Sequence, residues 1–335
     1  MVQVLQETTS EYHYFVSQLL AGVKKNMGEE CTIRLYKVTK NNSLELDSLV
    51  LQKEGKNFAP NIYLQPYYEA YRQGVSIREL VERLCNGYRN SSDDMNYEQF
   101  NYTFEDMKTN IIYRLVSYER NRRLLAKIPH IKYLDLAIIF YCLVRNDENG
   151  IGTIRITNEH MENWNVPISN LQKIAADNTQ RLFPFCIRSM DEVMEEIRLE
   201  EPEEKTVNEP KGSLEVPESA QEQPKELQVE AGNTKEMGEL PERRMYILSN
   251  RKGINGASCL LYPNVLQDFS DYVGSDFYIL PSSIHELILV TSPDLKDSQE
   301  YAAMVRDINE TQVAAEEVLS DRVYFYSRTE GLLLL

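Results

Sequence analysis

The sequence predicts an α+β protein: two domains with mixed, mostly antiparallel sheets and flanking helices, joined by a disordered acidic linker. Three observations predict it. Runs of alternating apolar and polar residues recur beside stretches of helical period on both sides of the chain. Between 200 and 243 the aromatic residues disappear and Pro, Glu and Gln take over. At 335 residues the chain is longer than a usual domain of about 100–200 residues. The expected domains are therefore 1–199 and 244–335, with 200–243 between them.

The first expected element is an amphipathic helix over 9–27, with Phe15, Leu19 and Val23 on one stripe and Gly28 placed to stop it. CTIRLYKV and LELDSLVLQ then flank KNNS as a β-hairpin, and FAPNIYL supplies a third strand. Pro66 starts a short helix through YYEAYRQG. Ser76 stands three residues before Glu79, the spacing of a capping box for IRELVERLCNGY. Period does not separate helix from strand in FEDMKTNIIYRLVSY. LDLAIIFYCLV reads as a buried strand with GTIRITN as its hairpin partner, followed by helices over 169–180 and 191–199.

The linker holds 12 acidic and 5 basic residues between 201 and 243. Pro202, Pro210, Pro217, Pro224 and Pro241 interrupt any long helix, and too little apolar side chain is present to offset the entropy of ordering. Beyond it, MYILSN, the turn RKGINGAS and SCLLY read as a hairpin. A helix over 264–273, the strands FYILP and ELILV, a helix over 298–309 and a last strand VYFYS complete the expected order.

Composition narrows the classes of function. Lys and Arg total 36 against 52 Asp and Glu, a formal charge of -16. That field repels phosphate backbones and anionic lipid, so protein partners are expected, nucleic acid is disfavoured and no membrane is expected. The N-terminal text lacks a basic and apolar leader, and the longest apolar run is about half of a bilayer span. Five scattered cysteines without a CxxC pair suit small core residues in a reducing compartment, so the expected location is the cytoplasm. The four histidines, His13, His130, His160 and His285, stand apart from one another, and neither a metal site nor a cofactor is expected.

Two stretches carry residue types suited to chemistry. In LPSSIHELILV, Ser282, Ser283, His285 and Glu286 bring together a hydroxyl, a base and an acid, the components of nucleophilic catalysis. The competing reading is a tight turn whose hydroxyls bond the backbone. The other stretch is basic against the overall charge: Arg114, Arg120, Arg122, Arg123, Lys127, His130 and Lys132, with Tyr113, Tyr118 and Tyr133 interleaved. Arg and Tyr together suit a phosphate, a carboxylate or stacked bases, whereas the structural alternative is a set of solvated or ion-paired faces. Asp135, inside an apolar run, must be paired or hydrogen-bonded if it is buried.

KNNSLELDSLVLQ with FAPNIYLQPYYEAYRQG, YRLVSYERNRRLLAKIPHIKYLDLAIIFYCLV and GASCLLYPNVLQDFSDYVGSDFYILPSSIHELILV resemble a bacterial family catalogued as a domain of unknown function, family 5688. The resemblance implies neither an activity nor catalytic residues. The leading expectation is a non-enzymatic interaction or regulatory module. The alternatives are a hydrolase-like enzyme using the serine-histidine turn and an anion- or nucleotide-binding protein using the basic stretch.

Overall fold

The computed structural model describes residues 10–29, 31–53, 61–93, 103–147, 150–200, 244–281, 283–291 and 298–334; the expected linker lies outside them from residue 201 onward. The chain divides into two compact units, Met1–Lys108 with Arg120–Lys127, and Thr109–Glu119 with Ile128–Leu335. The boundaries expected at 199 and 244 both fall inside the second unit.

In the first unit, α1 (Ser10–Met27) buries the expected stripe, Phe15, Leu19 and Val23, together with Val16. Strands β1 (Cys31–Thr39) and β2 (Glu45–Lys53) pair antiparallel from Cys31 opposite Lys53 to Thr39 opposite Glu45. Asn42 and Ser43 take the left-handed conformation in their connection, at φ 56° and 61°. Strand β3 (Asn61–Tyr63) joins the other edge of β2. Helix α2 (Gln65–Arg72) begins with Pro66 in its first turn, and α3 (Ile77–Asp93) is capped by Ser76, whose Oγ accepts the Glu79 N–H at 3.3 Å. Leu49, Leu51, Leu64, Leu80 and Leu84 fill the core against α1. At Gly22 a Cβ would stand 2.6 Å from Val81 Cγ2, so α1 and α3 approach as closely as they do only because this position lacks one.

The short helices α4 (Phe104–Met107) and α5 (Arg122–Leu125) also belong to this unit. Asn121 ties the α5 segment to the hairpin turn: its Oδ1 accepts the Asn42 N–H at 2.8 Å and its Nδ2 donates to Asn42 Oδ1 at 2.9 Å.

The second unit contains β4 (Ile111–Ser117), β5 (His130–Tyr133), β6 (Leu136–Asp147) and β7 (Gly150–Arg155). The ambiguous FEDMKTNIIYRLVSY stretch is thus helix and then strand, with the division between units inside it. Strand β6 is central: β4 lies on one edge, while β5 and β7 share the other. This accounts for its near-continuous apolar text. The free edge of β4 is covered by α7 (Ile168–Leu182): Thr179 Oγ1 accepts the Tyr113 N–H at 3.0 Å and Asn178 Nδ2 donates to the Ile111 carbonyl at 3.0 Å. Helix α6 (Asn158–Trp164) precedes α7.

The larger sheet has the order β13 (Gly331–Leu334), β12 (Tyr324–Ser327), β10 (Phe277–Leu280), β11 (Leu287–Thr291), β9 (Arg244–Asn250), β8 (Phe185–Ser189). Because β8 precedes the 201–243 stretch and β9 follows it, their antiparallel pairing builds one sheet from both sides of that stretch. Helices α8 (Met190–Glu200), α9 (Val265–Val273) and α10 (Ser298–Thr311) complete the unit. Tyr301 and Val305 of α10 pack with Tyr278, Val290 and Phe325 of the sheet. The expected strand SCLLY is instead a 3₁₀ helix, Gly256–Leu261. Both edges of β9 are already taken, by β8 and β11. The chain folds onto β9 so closely that a Cβ at Gly256 would stand 2.1 Å from Ser249 Oγ and 2.5 Å from the His285 carbonyl.

Asp135 follows Leu134, which has a φ of 54°, in the two-residue connection of β5 and β6. It accepts hydrogen bonds from Ser320 Oγ at 2.6 Å and from the Tyr324 hydroxyl at 2.7 Å. Burial, reinforced by the Asp135 charge, holds the Tyr324 phenol well above its ordinary pKa. Asp135→Ala strands two buried donors, and the expected loss is about 2–3 kcal/mol, read as a lower urea midpoint of the second unit. An unchanged midpoint would contradict this role.

Candidate functional site

Ser283, His285 and Glu286 lie between β10 and β11; Ser282 is outside the described residues. The local bonds are those of a folded turn. Ser283 donates its N–H to the Glu286 carbonyl at 3.3 Å, and Ser283 Oγ accepts the His285 N–H at 3.0 Å. Neighbouring segments fasten this turn: Ser249 Oγ donates to the His285 carbonyl at 2.8 Å, and Ile284 exchanges backbone bonds with Ala257 and Glu317.

The His285 ring is occupied at both nitrogens. Its Nδ1 accepts the Asn255 N–H at 3.2 Å, which leaves the proton of the neutral ring on Nε2, 3.3 Å from Glu317 Oε1. A base for a serine nucleophile needs a nitrogen free to accept the hydroxyl proton. Here that nitrogen already accepts a backbone amide, and the Ser283 hydroxyl meets the His285 backbone. The arrangement fixes a loop.

The basic stretch is divided between the units. Arg120, Arg122, Arg123 and Lys127 belong to the first, around α5, where Leu124 and Leu125 turn inward and Arg123 and Lys127 are exposed. Arg114, His130 and Lys132 belong to the second, on β4 and β5. Directly paired residues of neighbouring antiparallel strands share a face. Val116, Ala137 and Lys132 form one row across the small sheet, and Arg114, Ile139 and His130 the next. Ile112, Tyr141 and Arg155 form a third. One face therefore carries Lys132, Arg114, His130 and Arg155.

Two guanidinium groups converge on Tyr141. Arg114 Cζ lies 4.3 Å from the ring centroid and Arg155 Cζ 5.8 Å from it. Arg155 Nε donates to the Tyr141 hydroxyl at 3.3 Å, and an Arg114 terminal nitrogen reaches across β6 to Thr153 Oγ1 at 3.3 Å. Burial lowers the Arg114 pKa; Tyr141 acts in the opposite sense and the Arg155 charge in the same sense as burial. Among the described residues neither guanidinium is paired with a carboxylate. At the far end of this face, Lys132 Nζ stands 4.9 Å over the Tyr118 ring. His130 Nδ1 lies 3.1 Å from the Ile128 carbonyl, an acceptor, so the neutral ring carries its proton there and leaves Nε2 as the unprotonated nitrogen.

Arg155 and Tyr141 are the residues that sequence reasoning missed. Their only trace is the position of each in an alternating strand, and that acquires meaning once the register of β6 and β7 is known. Among the described residues no group of three His, Cys, Asp or Glu side chains comes together to hold a metal ion. No described helix is long and apolar enough to cross a membrane.

Over residues 12–328 the chain matches a family of unknown function (DUF5688), and it belongs to that family. No curated protein and no solved structure matches it.

Two measurements check the histidine assignments. Long-range proton-nitrogen NMR spectra of the neutral rings should show opposite tautomers, protonated at Nε2 in His285 and at Nδ1 in His130; the same tautomer in both would refute the bonding described. His160 provides a pH test. Its Nδ1 accepts the Thr157 N–H at 3.0 Å in the cap of α6, and burial lowers its pKa below the ordinary 6.5. The unfolded chain therefore takes up the proton first. The contribution of this cap is complete above about pH 6.5 and is lost as the pH falls through the folded value. An NMR titration placing His160 at or above 6.5 would overturn it.

Proposed function

We propose that this protein is a non-enzymatic binding module that recognises an anionic group, with Arg114, Arg155 and Tyr141 as the recognition centre. One observation carries the reading: two guanidinium groups are gathered on a single tyrosine ring with no carboxylate partner among the described residues. Holding like charges together and partly out of water is unfavourable unless something neutralises them. A guanidinium fork suits two-oxygen anions, carboxylate and phosphate alike. The Tyr141 ring orients both groups before a ligand arrives, so less rotamer entropy is lost on binding. A binding role is favoured over the hydrolase alternative because the His285 ring nitrogens are both engaged within the turn.

Inorganic phosphate is the simplest probe. At matched ionic strength, phosphate should raise the thermal midpoint relative to chloride, by up to about 2.7 kcal/mol of added stability at a hundredfold excess over the dissociation constant. Arg155→Gln should remove the response while leaving the midpoint in chloride within about 1 kcal/mol. An equal phosphate response in the variant would locate anion binding elsewhere and defeat the proposal.

A further inference from the structure

We infer that the outer edge of β1 is a self-association surface, on which a second copy of this chain adds its own β1 antiparallel about a two-fold axis at Leu35. The inference concerns the first unit and stands apart from the anion reading of Arg114 and Arg155.

Strand β1 is an edge of the three-stranded sheet. Strand β2 pairs with one side of it, and among the described residues no strand pairs with the other. The backbone donors and acceptors on such a side form the row to which another strand adds. Arg34, Leu35, Tyr36 and Lys37 are consecutive and all exposed, so neither face of the strand is covered at its middle. Leu35 is the informative residue. It pairs with Leu49, which is fully buried in the core beneath α1, yet Leu35 itself is 44% exposed. It lies on the core side of the sheet without a neighbour across the free edge.

A strand that pairs antiparallel with its own copy places the two-fold axis at one residue, and the text CTIRLYKVT discriminates among the choices. Leu35 is the midpoint of β1, so an axis there gives all nine residues a partner. Leu35 meets Leu35 of the copy, Arg34 meets Tyr36, Ile33 meets Lys37, Thr32 meets Val38 and Cys31 meets Thr39. No like charges stand opposite one another. An axis at Arg34 instead sets two guanidinium groups against each other. One at Tyr36 sets Leu35 against Lys37 and leaves Cys31 and Thr32 with no strand residue opposite. Charged side chains ordinarily protect an edge from addition. Here both are engaged within the sheet: Arg34 Nη1 donates to the Tyr36 hydroxyl at 3.4 Å, and Lys37 Nζ stands 3.5 Å from Asp47 Oδ1. In the dimer the Tyr36 ring of the copy adds a second contact to the same guanidinium.

The test is the association state of the full chain and of variants in β1. Sedimentation velocity over a range of concentrations should show a reversible dimer. Leu35→Lys sets two ammonium groups opposite each other and should weaken that dimer about tenfold or more, with an unchanged circular dichroism spectrum. Leu35→Ile should keep it. Crosslinking reads the register. Directly paired residues have Cα atoms about 4.5–5.5 Å apart, within reach of a disulfide, so mild oxidation should join two copies of Leu35→Cys. Lys37→Cys, which lies opposite Ile33 and not its own copy, should crosslink no more than the unaltered chain. A chain that stays monomeric at every concentration overturns the inference, whether or not another protein's strand takes the edge. A dimer indifferent to Leu35→Lys overturns it too, because association then uses another surface. Should Leu35→Lys unfold the chain, the crosslink decides: failure of Leu35→Cys to join where Lys37→Cys does refutes the two-fold at Leu35.

Discussion

Strand β6 is paired along both of its edges, and that double pairing is the constraint from which the candidate site follows. With β4 on one side and β5 and β7 on the other, Leu136–Leu143 have their faces assigned, up to the irregularity between Leu143 and Arg145. A slip of one residue would exchange the two faces and move the half-buried Tyr141 into the place of the fully buried Phe140. The same rule fixes the neighbours. Arg114 shares a face with Tyr141 because Tyr113 points the other way, against Tyr262. Both faces of β6 are lined by buried apolar residues, Ala137 and Ile139 on one and Ile138 and Phe140 on the other, and the charges share the first of them.

Arg114, Arg155 and Tyr141 are linked to one another by contacts within the small sheet. The Tyr141 ring and the Thr153 hydroxyl orient the guanidinium groups, and among the described residues no carboxylate pairs with either. This contrasts with Arg145, which is bonded through Nε to both oxygens of Asp147 at the end of the same strand. Arg145 on β6 thus has a carboxylate partner, whereas Arg114 on β4 and Arg155 on β7 have none among the described residues.

The turn at Ser283 and His285 has another part in the molecule. Its bonds to Ser249, Asn255, Ala257 and Glu317 connect the β10–β11 loop to β9, to the start of the 3₁₀ helix after it and to the segment between α10 and β12. Asp135 does comparable work between the β5–β6 turn and β12. Both clusters place polar groups where backbone segments from distant parts of the chain meet, and the turn at His285 is better explained by architecture than by chemistry.

Local pattern, by itself, determined the α+β class, the stripe of α1, the Ser76 cap, the hairpin at Asn42 and the buried character of β6. Each depends on residues near one another in the chain, where period and turn chemistry act directly. Tertiary structure alone decided that β8 pairs with β9 across the 201–243 stretch, that SCLLY is a 3₁₀ helix and that the basic stretch is divided between two units. It also decided that Arg155 joins Arg114, although 41 positions separate them in the sequence. A strand does not record in its own text which edge it will meet, because pairing partners are chosen by non-local burial. The acidic and basic residues were legible as a composition, but which charges share a face was decided only by the register of the strands.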